Sequence, residues 1–300
     1  MTNTWKKLGL TTLSASALFL AACSDDADTT EDTTEDTADG SLSGEVELAY
    51  VSWDSEIAST NVIGQVLQDV GYDVNLVALD NAIMWEAVAN DEADAMVSAW
   101  LPGTHAPQFE NYSDDMVHLG PNLEGAKIGL VVPEYMDVDS IADLTDQADQ
   151  TITGIEAGAG VVAAAEQATE DYDNLSDWNV QTSSSGAMVT QLADAYESEE
   201  DIIVTGWSPH WKFQSYDLKY LEDPEGSFGG EETIDTFVRE GLEEDMPEAY
   251  EILDNFQWEA SDMESVMLEI QDGVDPEEAA QNWIENNQDK VSEWTEGVVE

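Results

Sequence analysis

The 300-residue chain has one cysteine, seven lysines and arginines together, and three histidines. A lone cysteine cannot close an internal disulfide, so no disulfide framework holds this fold. Sixty-seven acidic residues oppose the seven basic ones and give a formal net charge of −60. Nucleic acid and anionic membrane surfaces repel such a chain. His105, His118 and His210 have no cysteine partners and no H-E-x-x-H spacing, so they form no recognisable zinc site. A nucleophile elbow is missing too, because "GWSPH" lacks the second glycine of G-x-S-x-G. Among so many carboxylates no particular pair stands out for glycoside hydrolysis. Apolar residues are plentiful: at 42% of the chain they suffice for a core, most naturally one shared by two lobes of ordinary domain size.

The carboxylates are spread along the whole chain rather than gathered in a tail. Two readings compete, a cation-binding polymer and a surface suited to a very salty medium. The second is the simpler, since at molar salt the screening length falls to about 3 Å and repulsion that strains the fold at low salt is quenched.

Residues 1–23, "MTNTWKKLGLTTLSASALFLAAC", have a basic start, an apolar stretch too short to span a bilayer, and small residues ahead of Cys23. This is the pattern of an export signal. The "LAAC" at Leu20–Cys23 resembles the bacterial lipoprotein box, in which the cysteine is lipidated after cleavage and anchors the chain to the membrane. Residues 24–44 are acidic with almost no large apolar side chain, and are expected to form an extended, self-repelling tether.

From Glu45 onward apolar runs alternate with helical periodicity. "VELAYVSW" reads as a strand and Ser55–Val70 as a helix with Ile63, Val66, Leu67 and Val70 on one face, capped by Asp54 and ended by Gly71. "YDVNLVAL", a helix over Ala82–Ala89 and "ADAMVSAWLP" continue the pattern. After the strand "AKIGLVVPEYM" it starts again with "TITGIEAG", a helix over Val161–Asp171, "WNVQTS", a helix over Gly186–Tyr196 and "DIIVTGW". Such alternation predicts βαβ units in two α/β lobes, each a mainly parallel sheet flanked by helices with a cleft between them. Beyond Glu244 only helical stretches are expected.

Ligands of parallel sheets bind beyond the carboxyl ends of the strands. Trp53, Trp100 and Trp207 each stand at such an end. A single tryptophan there is ordinarily a packing residue, the role expected for Trp85, Trp178, Trp211, Trp258, Trp283 and Trp294. Three in equivalent places suit a quaternary ammonium group, which has no N–H to donate and binds to the faces of indoles. In "EAGAGVVAAA", Gly158 and Gly160 let the backbone approach a ligand where a helix starts, and the amides of Gly160 and Val161 can hold an anion. A small zwitterion satisfies both. The same segment fits G-x-G-x-x-A, with Asp177 downstream, so an exported NAD-dependent oxidoreductase is the rival reading.

"AYVSWDSEIASTNVIG", "SAWLPGTH", "GLVVPEYM" and "VTGWSPHW" together resemble the glycine betaine-binding lipoproteins of osmoprotectant ABC importers, over about Glu45 to Val298. The resemblance implies a two-lobed periplasmic-binding-protein-like fold of type II and a monomer without catalytic activity, metal or cofactor. Such a protein would close on glycine betaine or proline betaine outside the cytoplasm and deliver it to a membrane permease. Choline or carnitine is the alternative ligand. It further implies an ammonium cage of Trp53, Trp100 and Trp207, and a carboxylate site of the Gly160 and Val161 amides with His105. Because members differ in the order of their halves, the lobes are drawn here as 45–127 plus 218–300 and 128–217. For Asp54 and Glu56 the favoured role is helix capping rather than support of the cage.

The acidic surface makes stability depend on salt: the melting temperature is expected to fall on dialysis from molar to low salt, and an unchanged value would remove the salt-adapted reading.

Overall fold

A computed structural model describes residues 44–298. The export signal, Cys23 and the tether up to residue 43 lie outside the described residues. The first group of elements is β1 (Glu45–Tyr50), α1 (Asp54–Asp69), β2 (Asp73–Ala78), α2 (Asn81–Ala89), β3 (Ala95–Leu101) and α3 (Ala106–Tyr112). A long strand, β4 (Met116–Pro133), leads to the second group. This consists of β5 (Thr151–Thr153), α4 (Gly160–Asp171), β6 (Asn179–Gln181), α5 (Ser185–Ser198), β7 (Ile203–Ser208), α6 (Lys212–Ser215) and β8 (Leu218–Tyr220). The chain ends with β9 (Glu232–Arg239) and the helices α7 (Leu242–Asp245), α8 (Pro247–Asn255), α9 (Ala260–Gln271), α10 (Pro276–Asn286) and α11 (Gln288–Trp294).

Local sequence accounts for most of these elements. The apolar positions Val62, Ile63, Val66 and Leu67 place one face of α1 in the core. Gly71, at φ 116°, takes the left-handed turn between α1 and β2 that a side chain resists. Every residue of β3 is buried, as expected of an inner strand covered on both faces.

The strands form one mixed sheet in the order β2-β1-β3-β9-β4-β7-β5-β6, with β8 added beside β4. β1 pairs parallel with β2 and β3, and β5 pairs parallel with β6 and β7, because helical crossovers return each strand in the same direction. Between these parallel groups, β9 and β4 run antiparallel to their neighbours. β4 changes partner along its length: Met116–Ala126 lies against β9, and Lys127–Val131 lies against β7. β8, where the sequence reading places the return to the first lobe, pairs with Val131–Pro133 of β4. The chain therefore recrosses only over residues 221–231.

β9 is the strand the sequence pattern concealed. Glu232, Asp235 and Thr236 are buried polar residues within it and break the apolar rhythm. The terminal helices carry an aromatic cluster, and α9 and α10 pack against α1. Trp294 stacks on Trp283 at 5.5 Å and meets Phe256 edge-on at 4.9 Å, while its indole N–H donates to the carbonyl of Gln257 (2.9 Å). No helix among the described residues is long and apolar enough to cross a membrane.

Truncating a fully buried indole removes transfer energy and leaves a cavity. Trp294→Ala is expected to lower unfolding free energy by about 3–5 kcal/mol in denaturant titrations; a loss below about 1 kcal/mol would mean that the helical tail adds little to the core.

Candidate ligand-binding site

Two residues separate the end of β1 from Trp53, which stands in extended conformation (φ −96°, ψ 152°) immediately before the first turn of α1. The expected cap is not made. Asp54 lies inside the first turn, and its side chain bonds to no backbone N–H of the helix. Instead it accepts the indole N–H of Trp211 (2.7 Å) and the hydroxyl of Ser185 (2.8 Å), with His210 Nε2 at 3.7 Å. Burial by itself would raise its pKa, but His210, Trp211 and Ser185 hold the carboxyl well below the usual range. Trp211, expected as a packing residue, is thus tied by its N–H to the start of α1.

The neighbouring residues behave likewise. Ser55 Oγ accepts the indole N–H of Trp207 (3.2 Å), and Glu56 Oε1 accepts that of Trp100 (2.9 Å). Trp53 donates its own N–H to Glu156 Oε1, in the loop between β5 and α4. Glu56 therefore positions the indole of Trp100 rather than capping α1.

Trp53, Trp100 and Trp207, each no more than 6% exposed, line a small cavity with Thr104, Ile128, Ile155 and the first turn of α4. Gly160 and Val161 open α4, and both line the cavity. Their N–H groups precede the first amides to find a carbonyl, Val162 and Ala163, which both donate to Ala159 (3.1 Å). A Cβ on Gly160 would sit 2.3 Å from the carbonyl oxygen of Thr104, so only glycine admits this approach between the β3–α3 turn and α4. Glu232, reaching over from β9, shapes that turn by accepting the amides of Gly103 and Thr104 (2.7 Å each) and the Thr104 hydroxyl.

His105 is fully buried behind this wall. It stacks on Trp53 at 5.9 Å and meets the edge of Trp85. Its Nδ1 accepts the backbone N–H of Trp100 (3.1 Å), and burial pushes its pKa down to about 3, so the neutral ring carries its proton on Nε2. That N–H has no partner among the described residues. Lys212 is also buried, with Nζ 3.4 Å from the carbonyl of Trp207 and 4.4 Å from its ring centroid; burial pulls its pKa down to about 7.

The fold thus brings Trp53, Trp100, Trp207, Gly160 and Val161 to one cavity and places His105 in contact with two of its indoles or their backbone. Sequence reasoning missed Ser55, Glu156, Glu232 and Lys212. Ser55, two residues after Trp53, and Lys212, five after Trp207, lie close to the tryptophans in sequence; Glu156 and Glu232 become relevant through contacts far apart in the chain.

Burial raises Glu56 to about 8, against hydrogen bonds from Trp100, Ser98 and Ser55. The folded protein thus keeps a proton that the unfolded chain releases near the ordinary 4.5, and from there to about 8 this group reduces stability as pH rises. Glu56→Gln, which retains an acceptor for Trp100, should gain on the wild type across that window by at most about 1.4 kcal/mol per pH unit. Urea titrations at several pH values read the difference, and a constant gap would mean that the carboxyl is ionised in the fold.

Residues 44–286 match the family described as the substrate binding domain of the ABC-type glycine betaine transport system, OpuAC. The crystal structure of lactococcal OpuAC, closed and complexed with glycine betaine, is 56% identical and superposes with a TM-score of 0.82 over 84% of this chain and 99% of that one. The glycine/betaine/L-proline-binding protein ProX of Borrelia burgdorferi is 33% identical with a TM-score of 0.81, over 84% of this chain and 96% of that one. The glycine betaine/carnitine transport binding protein GbuC of Listeria monocytogenes is 54% identical over 161 residues, 53% of this chain and about half (54%) of its own length. With its sheet order, its cavity and a match over most of its length, this chain belongs to the OpuAC family of substrate-binding domains.

Proposed function

We propose that this protein captures glycine betaine or proline betaine and hands it to an ABC permease for osmoprotection. The observation that carries the reading is the pairing of three buried indoles with the opening amides of α4 around one small cavity. A quaternary ammonium cannot be held by hydrogen bonds, and indole faces attract it by about 0.5–2 kcal/mol each, according to how far the site is desolvated. The carboxylate of the same molecule needs donors. Gly160 N–H and Val161 N–H provide them at the positive end of α4, and His105 Nε2–H is a third donor nearby. Choline, with a hydroxyl in place of the carboxylate, leaves those amides poorly matched.

The protein acts by binding and not by catalysis. Glu56 and His105, two titratable groups beside the indoles, are buried and engaged in positioning Trp100. Residues 45–127 with the returning chain form one lobe and 128–217 the core of the other, and the ligand favours the closed state because the cage draws indoles from both. The second lobe also includes β8, given its pairing with β4. Cys23 is the lipid-bearing residue that keeps a monomer at the outer face of the membrane, within reach of the permease.

Calorimetric titration in high salt with glycine betaine, choline and NAD in separate runs tests this. Saturable binding of glycine betaine is expected, weakened about two- to thirtyfold in Trp207→Ala. Binding of choline alone would remove the carboxylate role of Gly160 and Val161, and binding of NAD would overturn the reading.

A further inference from the structure

The three indoles of the cavity differ in what accepts their N–H. Trp207 donates to a hydroxyl, that of Ser55. Trp100 donates to Glu56, a carboxyl that burial keeps protonated near neutral pH. Trp53 donates to Glu156, which is only partly buried and lies outside the cavity, in an adjoining surface groove beside Ile83 and Ser184.

An anion that accepts an indole N–H draws the proton toward itself and pushes electron density back into the ring. The face of that ring becomes more negative and attracts a cation more strongly. The anion's own field acts in the same direction, and it is poorly screened where indoles exclude water. A hydroxyl or a protonated carboxyl does much less. Shape alone does not distinguish a trimethylammonium from a tert-butyl group, since the two heads have nearly the same size, so discrimination between them must be electrostatic.

We propose that Glu156 is a specificity-determining residue that acts through Trp53: by accepting the indole N–H as a carboxylate, it makes the cage select positive charge rather than a bulky apolar head. This deepens the betaine-binding reading and rests on it. It also gives the contact between the β5–α4 loop and the start of α1 a task beyond holding the two together.

The test compares glycine betaine with tert-butylacetate, which keeps the carboxylate and replaces the ammonium by an uncharged carbon of similar shape. Dissociation constants for both are measured by titration or competition in one high-salt buffer, for the wild type, Glu156→Gln and Glu156→Asp. The glutamine keeps an acceptor for Trp53 and removes the charge; the aspartate keeps the charge. In Glu156→Gln the preference for glycine betaine over tert-butylacetate should fall by about tenfold, with the loss confined to glycine betaine. Glu156→Asp should keep most of the preference even if both ligands bind more weakly. Equal losses for the two ligands in Glu156→Gln, or an unchanged ratio, would overturn the proposal and leave Glu156 a structural contact. Failure of the wild type to bind glycine betaine would instead remove the function on which the proposal rests.

Discussion

Four consecutive residues, Trp53 to Glu56, account for the indole N–H of every tryptophan at the cavity. Trp53 donates outward to Glu156, while Asp54, Ser55 and Glu56 accept from Trp211, Trp207 and Trp100. A buried indole N–H without an acceptor costs on the order of 1–3 kcal/mol, so each of these bonds offsets a cost of burying its ring. The geometry is that of a helix start. Successive residues of one turn point about 100° apart, and a single turn of α1 therefore reaches toward β3, β7 and the segment after β7 at once.

The same arrangement joins the two groups of strands. Trp53 to Glu56 follow β1, in the first group, whereas Glu156, Ser185, Trp207 and Trp211 belong to the second. Apart from β4, which runs through both, the halves meet around the cavity at this polar seam, at the approach of Thr104 to Gly160 and where the Asn81 side chain donates to the Gly158 carbonyl (3.4 Å). Most polar groups of the seam are matched to another, Glu56 Oε2 being an exception. The pKa shifts follow from that: Asp54 with three partners stays ionised, while Glu56, which has partners on one oxygen and none on the other, is held protonated.

Charge is divided between surface and site. Carboxylates are spread along the chain, but the wall of the cavity is made of indoles, aliphatic side chains, Ser55, Thr104 and the first turn of α4. Ring faces and N–H dipoles enclosed by protein are screened by salt far less than exposed ion pairs. The acidic exterior and the binding site can then answer to different demands, the one to the solvent and the other to the ligand.

Local pattern determined much of this protein. Alternating periodicities marked the strands and helices of both groups, and the strand-end positions of Trp53, Trp100 and Trp207, with the glycines before α4, identified the cavity's main components. These features are legible because they depend on residues close together in the chain. Tertiary structure alone decided the rest. β9, with its buried Glu232 and Asp235, lacks an apolar alternation and becomes a strand only between β3 and β4. Asp54 had the local features of a cap, yet Trp211 and Ser185, more than a hundred residues away, offer it stronger partners. Among 67 carboxylates nothing local distinguishes Glu56, Glu156 or Glu232. Their roles come from which indole or amide the fold sets beside them, since a hydrogen bond depends on distance in space and not on distance along the chain.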